Sequence, residues 1–188
     1  MADTTENTDL AFDPTHVTHI RAERPAEVGV INALVMQAFA DLPDGDGHQS
    51  FVVERLRNQG QLTFSFVSIN EGRPVGHIAV FPVEVTGEDG KSKINGVYAL
   101  GPVAVMPDLQ GAGHGSALVN HAIGALHGLG AKGVVVYGDR EFFARFGFTP
   151  AKTLEYPGRD PEQFQTLSLD GEGLPTGTVK FPDAYEGK

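Results

Sequence analysis

Apolar and polar residues alternate along LTFSFVSI (62–69) and again along PVGHIAVFPVEV (74–85), which predicts two strands joined by a turn at EGR (71–73). A third apolar run, INGVYALGPVAVM (94–106), follows the loop TGEDGK. The links are too short for crossovers, so the three strands form an antiparallel meander. Upstream, HVTHIRA (16–22) alternates as a first strand, and 24–39 carries Val28, Ile31, Leu34, Val35 and Ala38 at helical spacing, with Pro25 in the first turn. Acidic ADLPDGDG (40–47) breaks that helix, and a shorter one is predicted over 49–59.

The period changes after residue 112. Leu118, Ala122, Ala125 and Leu129 form one stripe of a helix over 113–129, with Val119, Ile123 and Leu126 beside it. VVVYG (134–138) is apolar throughout, as a strand covered on both faces should be. Strand, helix and strand then make one right-handed crossover. A short helix over 139–148 starts at the N-cap Asp139 and stops at Gly147, and 164–181 reads as two closing strands around a turn. The fold class is α/β of the α+β type, a mixed and mainly antiparallel sheet flanked by helices. Residues 16–183 form a single domain, with tails at 1–15 and 184–188.

Composition narrows the function. A formal charge of −10 disfavours nucleic acid and anionic lipid as partners. No apolar run reaches membrane-spanning length, the N-terminus lacks signal-peptide character, and there is no cysteine; the expected location is the cytoplasm. The seven histidines are scattered without ligand spacing, so no metal site is expected.

The chemistry concentrates in MPDLQGAGHGSALV (106–119), where Gly111, Gly113 and Gly115 precede a helix. The first N–H groups of a helix lack internal partners and carry partial positive charge, so a phosphate there gains donors without any lysine. Glycines also turn the chain. A dinucleotide fingerprint would need glycine or alanine where Ser116 stands, and a triphosphate loop would need G-K-[ST]. Both fail.

Gln110, Gly113 and Gly115 spell Q-x-x-G-x-G after LGPVAVMP, and VVVYGDREFFARFGFTPA follows. With the closing GTVKFPDAY, these blocks resemble the GNAT acetyltransferase superfamily, in a bacterial branch of predicted acetyltransferases, over about residues 17–183. The resemblance implies a parallel strand pair that splays, with acetyl-CoA as cosubstrate in the wedge. Pantetheine would lie on the backbone of Val103, Ala104 and Val105, and pyrophosphate on the amides of Gln110, Gly111, Ala112, Gly113, His114, Gly115 and Ser116, with Phe143 beside the cofactor. Gly113→Val is then expected to weaken acetyl-CoA binding with little loss of folding.

The implied reaction is acetyl transfer to a primary amine of a small molecule or protein, with a homodimer as a candidate assembly. Relatives often supply a tyrosine acid and a glutamate base, but Phe143 and Ala99 stand at those positions. The catalytic residue is therefore open. Tyr98, Tyr137 and His77 are candidates, followed by Glu84 and His114, each with a structural role as the competing reading. The departures also motivate a non-catalytic acyl-CoA-binding or sensing module, and a nucleotide-binding oxidoreductase is the third alternative. The acidic loop at 41–47 is a candidate attractor for a cationic amine.

Overall fold

The computed structural model describes residues 19–40 and 48–187. The N-terminal tail, the start of the first predicted strand and the acidic loop at 41–47 lie outside the described residues.

In chain order, β1 (His19–Ala22) leads through a 3₁₀ turn at Pro25–Glu27 into α1 (Val28–Ala38), and α2 (His48–Asn58) follows. The strands β2 (Phe64–Asn70), β3 (Arg73–Pro82), β4 (Glu84–Gly87), β5 (Lys93–Ile94) and β6 (Val97–Val105) precede α3 (His114–Leu129). Then come β7 (Gly133–Tyr137), α4 (Arg140–Ala144), β8 (Thr149–Pro150), β9 (Leu154–Glu155), β10 (Phe164–Ser168), β11 (Gly177–Lys180) and α5 (Asp183–Glu186). Among the described residues, one sheet has the order β1-β2-β3-β6-β7-β10-β8 and a second the order β5-β4-β11-β9.

The meander is present. β2 pairs with β3 and β3 with β6, all antiparallel. Glu71 and Gly72, both at positive φ, make the two-residue turn that matches strand twist in a hairpin. β6 and β7 form the parallel pair of the large sheet, bridged by α3. Apolar residues on one sheet face (Val67, Ala79, Ala99, Val135) pack with α1 and α2; those on the other (Ile78, Val80, Val134, Val136) pack with Leu118, Ala122 and Leu126 of α3.

Three expectations are corrected. The run 74–85 is divided between β3 and β4, and 94–106 between β5 and β6, so both cross from one sheet to the other. The closing strands do not pair with each other: β10 lies between β7 and β8, and β11 between β4 and β9. Residues from 184 are not simply a tail, because Ala184 is buried and its carbonyl accepts a 2.8 Å hydrogen bond from Arg55 Nε of α2. Tyr185 packs its ring on Phe81 and Phe181. Alternation within each strand was readable locally. Sheet membership depends on partners far along the chain.

The β3–β6 register shifts by one residue: Ile78 faces Val103, whereas Val80 faces Leu100. The extra residue of β6 lies at Gly101–Pro102, where Gly101 adopts φ +137°. Such a bulge bends its strand and reverses the facing of side chains beyond it. The packing shows that reversal. Val97 and Ala99 share a core with Ala104, while Tyr98 and Leu100 share the opposite one with Val103.

A partly buried polar cluster ties α2 to the sheet. The Glu23 carboxylate accepts from Arg57 Nε at 2.9 Å, Arg57 Nη2 at 2.8 Å and Ser65 Oγ at 2.5 Å. Ser65 gives its single proton to Glu23, so at 2.8 Å the fully buried His77 must donate to it from Nε2. Burial would push Glu23 up, but the bonds from Arg57 and Ser65 hold it below its usual value. Burial drives His77 down to about 4, against the opposing pull of Glu23. His77 is therefore neutral in the fold and charges more readily in the unfolded chain. Unfolding free energy should accordingly fall as pH drops from 6.5 towards 4, by about 1.4 kcal/mol per pH unit for one proton. Urea titrations across that range should show a slope flattened in His77→Leu; an unaltered slope would refute the assignment.

Candidate active site

The β6–β7 ladder runs through Val97–Gly133, Tyr98–Val134 and Ala99–Val135, and then stops. β6 continues to Val105 on β3 alone. Two causes coincide: the bulge turns β6 away, and Pro102 has no N–H to offer a neighbour. The strands separate, and a cleft of about 740 Å³ opens there, lined by Leu100 through Val103 and by Val105 on one side and Tyr137 on the other.

At one end lies the glycine loop. Gly111 (φ +80°) and Gly113 (φ +91°) occupy left-handed conformations, with open space where a Cβ would project. The backbone turn alone demands glycine at both positions. This corrects the expectation for Gly113→Val, since valine would be strained there regardless of any ligand. Gly115 is different. Its φ is helical, and a Cβ would touch Phe142 and Val105 at 3.6 Å, a contact any alanine could make. Gly115 is thus the glycine whose small size bears on the cleft rather than on the chain path.

The main-chain N–H groups of Gly111, Gly113, Gly115 and Ser116 make no hydrogen bond to a carbonyl within the described residues. Those of Gln110 and Ala112 do, donating to Pro107 and Leu109 at 3.3 Å each, so they are not among the free donors. The Gln110 side chain ties the loop to the strand, with Nε2 donating to the Val105 carbonyl at 3.2 Å. His114 turns its ring into the core, where Nδ1 lies 2.6 Å from Ser68 Oγ.

α4 forms the adjoining wall. Asp139 Oδ1 accepts from the amides of Glu141 and Phe142 at 2.8 and 3.0 Å, which is the cap expected from sequence. Phe142, Phe143, Phe146 and Phe148 pack edge to face. The Arg145 guanidinium lies over Phe142, 4.8 Å from the ring centroid, and faces the same cleft.

The opposite end belongs to the other sheet face. Phe39, Gln49, Val52, Tyr137, Tyr156, Arg159 and Tyr185 line it, most of them packed on the α1–α2 core. Tyr156 Oη donates to Glu186 Oε1 at 3.2 Å; burial and then that carboxylate push its phenol up to about 12. Burial likewise raises Tyr185. The Arg159 guanidinium lies 5.7 Å from the Tyr156 centroid and 6.0 Å from that of Tyr137.

Of the residues selected from sequence, the structure brings Val103, Val105, Gln110, Gly111, Gly113, Gly115, Ser116, Phe143 and Tyr137 to the cleft. Ala104 and His114 are buried, and neither they nor Ala112 line it. Tyr98 packs on the α3 core, His77 lies in the Glu23 cluster, and exposed Glu84 pairs with Lys93 at 3.2 Å in the second sheet. Phe39, Gln49, Tyr156, Arg159 and Tyr185 had no motif to mark them, because distant segments of the chain bring them together. Among the described residues there is no metal-binding group of side chains and no helix able to cross a membrane.

Comparison with known proteins decides the family. The sequence model of the Acetyltransferase (GNAT) family matches residues 30–148. The chain belongs to that family. The uncharacterized N-acetyltransferase YhbS of Escherichia coli strain K12 is 31% identical over 172 residues, covering 88% of this chain and 97% of its own. A GNAT family acetyltransferase from Brucella melitensis, solved with acetyl-CoA, superposes with a TM-score of 0.77 at 35% identity, over 90% of this chain and 99% of its own. YhbS from Escherichia coli, solved with CoA, also gives 0.77, at 27% identity over 90% of this chain and 92% of its own. This GNAT chain therefore has an acyltransferase fold with the mixed sheet and open parallel pair expected from sequence.

Gly115→Ala separates the roles of the glycines. It should fold with unchanged melting temperature, yet raise the acetyl-CoA dissociation constant roughly tenfold, about 1.4 kcal/mol, because the added methyl takes space beside Phe142 and Val105 while every main-chain N–H is kept. Calorimetric titration checks this; unchanged affinity in the folded variant would remove the loop from the cofactor site.

Proposed function

We propose that this enzyme transfers the acetyl group of acetyl-CoA to the nitrogen of an amine bound on the α1–α2 side of the sheet. The observation carrying the proposal is the opening beyond Ala99–Val135, which joins a loop of free N–H donors on one side to an aromatic chamber on the other. The acetyl-CoA and CoA bound in the two similar structures support the same choice of cosubstrate.

Pyrophosphate would rest on the amides of Gly111, Gly113, Gly115 and Ser116, with Arg145 supplying a nearby cation. The pantetheine arm would follow β6 from Val105 towards Gly101. The Val105 carbonyl already accepts from Gln110, which leaves the backbone around Val103 to hold the arm's amides. The thioester then reaches the gap between Gly101 and Tyr137. Fixing thioester and amine together supplies much of the acceleration that an acyl transfer needs.

As the carbon–sulfur bond breaks, the departing thiolate gains from a proton donor. Phe143 cannot provide one. Tyr156, raised to about 12 and tied to Glu186, is a poor acid for a thiolate. Tyr137, the last residue of β7 and the first phenol beyond the end of the ladder, takes the role in this proposal.

Two measurements test the reading. Thiol release from acetyl-CoA over an amine panel should exceed hydrolysis; release no faster than hydrolysis across amines and peptides would favour an acyl-CoA-binding module. Tyr137→Phe should lower kcat by about 10²-fold while leaving acetyl-CoA affinity within twofold. A variant with parental kcat would dismiss Tyr137 as the acid.

A further inference from the structure

Among the described residues, the charged groups that line the cleft are Asp139, Arg145 and Arg159. Asp139 is engaged as the α4 cap, and Arg145 sits over Phe142 on the side of the glycine loop. Arg159 is on the opposite sheet face, held over Tyr137 and Tyr156, and forms no salt bridge with a carboxylate of the described residues. Glu186, the nearby acid, bonds the Tyr156 hydroxyl instead. The guanidinium also interacts with the Tyr156 hydroxyl, but with five N–H donors it retains others for a planar anion. The same chamber holds Gln49 Oε1, a buried acceptor without a hydrogen-bond partner among the described residues. A buried, unpaired acceptor costs stability and marks a place for a donor.

We infer that the acceptor is an amine that also bears a carboxylate, an amino-acid-like molecule whose anion is held by Arg159 and whose amine N–H is received by Gln49. The inference rests on the acetyl-transfer reading and names its substrate class. The overall charge of −10 would discourage an anionic acceptor at long range, so a local cation is needed to admit one. Arg159 would serve a second purpose. A guanidinium beside the acceptor disfavours the ammonium form, and the neutral amine is the one that attacks the thioester.

The test uses products as probes, so that binding is read without turnover. The protein saturated with CoA is titrated by calorimetry with N-acetyl amino acids of graded side-chain size and with the matching N-acetyl amines lacking the carboxylate. At least one carboxylate compound should bind tenfold or more tightly than its partner. Arg159→Gln should abolish that preference and leave CoA affinity unchanged, with Arg159→Lys retaining part of it. Equal binding within every pair, no binding by any carboxylate compound, or loss of CoA affinity in Arg159→Gln would each overturn the inference; the last would give Arg159 to the cofactor. A carboxylate preference in a protein that never releases thiol would keep the carboxylate subsite at Arg159 but overturn acetyl transfer, and with it the ligand's role as acceptor.

Discussion

A single extra residue in β6 governs the architecture of the site. Without the bulge at Gly101–Pro102, the β6–β7 ladder could continue past Ala99 and Val135 and fill the space where the cleft now lies. A sheet normally hides its edges by pairing them. Here an edge is exposed in the middle of a sheet, and it is tolerated because β6 remains paired to β3 on either side of the bulge. The same residue also reverses the facing of the strand, so that Ala104 joins the α1–α2 core and Val103 the α3 core.

The glycine loop depends on that departure. β6 ends at Val105, and the next turn bends back far enough for Gln110 to reach the strand's last carbonyl. His114 then anchors the head of α3 to Ser68 of β2. The donors of Gly111, Gly113, Gly115 and Ser116 are therefore fixed by two side-chain bonds directed away from them. An acidic protein can thus present a positive local field without spending a lysine on it, since the field comes from oriented peptide groups.

Much of this was legible in the chain. The meander, the α3 crossover and the Asp139 cap follow from alternation, helical spacing and capping chemistry, all local signals. The glycine loop was legible too, but its glycines merged two reasons that coordinates separate: φ at Gly111 and Gly113, space at Gly115. What escaped was whatever depends on distant pairing. Nothing near Val83 says that β4 leaves the sheet of β3, and nothing near Tyr185 says that its ring will meet Phe81. The wall on the α1–α2 side was invisible for the same reason. Gln49, Tyr156, Arg159 and Tyr185 are ordinary residues until the chain closes around them.

The two walls of the cleft are written in different parts of the chain. From Leu100 to Arg145, one stretch supplies the opened strand, the glycine loop, α3 and α4; apart from Tyr137 at the end of β7, the opposite wall is assembled from Phe39 after α1, from α2 and from the segments after Leu154. The wall with the glycine loop is thus physically modular. Variation in the C-terminal third, where β11 and α5 bring Tyr185 to its place, can reshape one side of the cleft without disturbing the other.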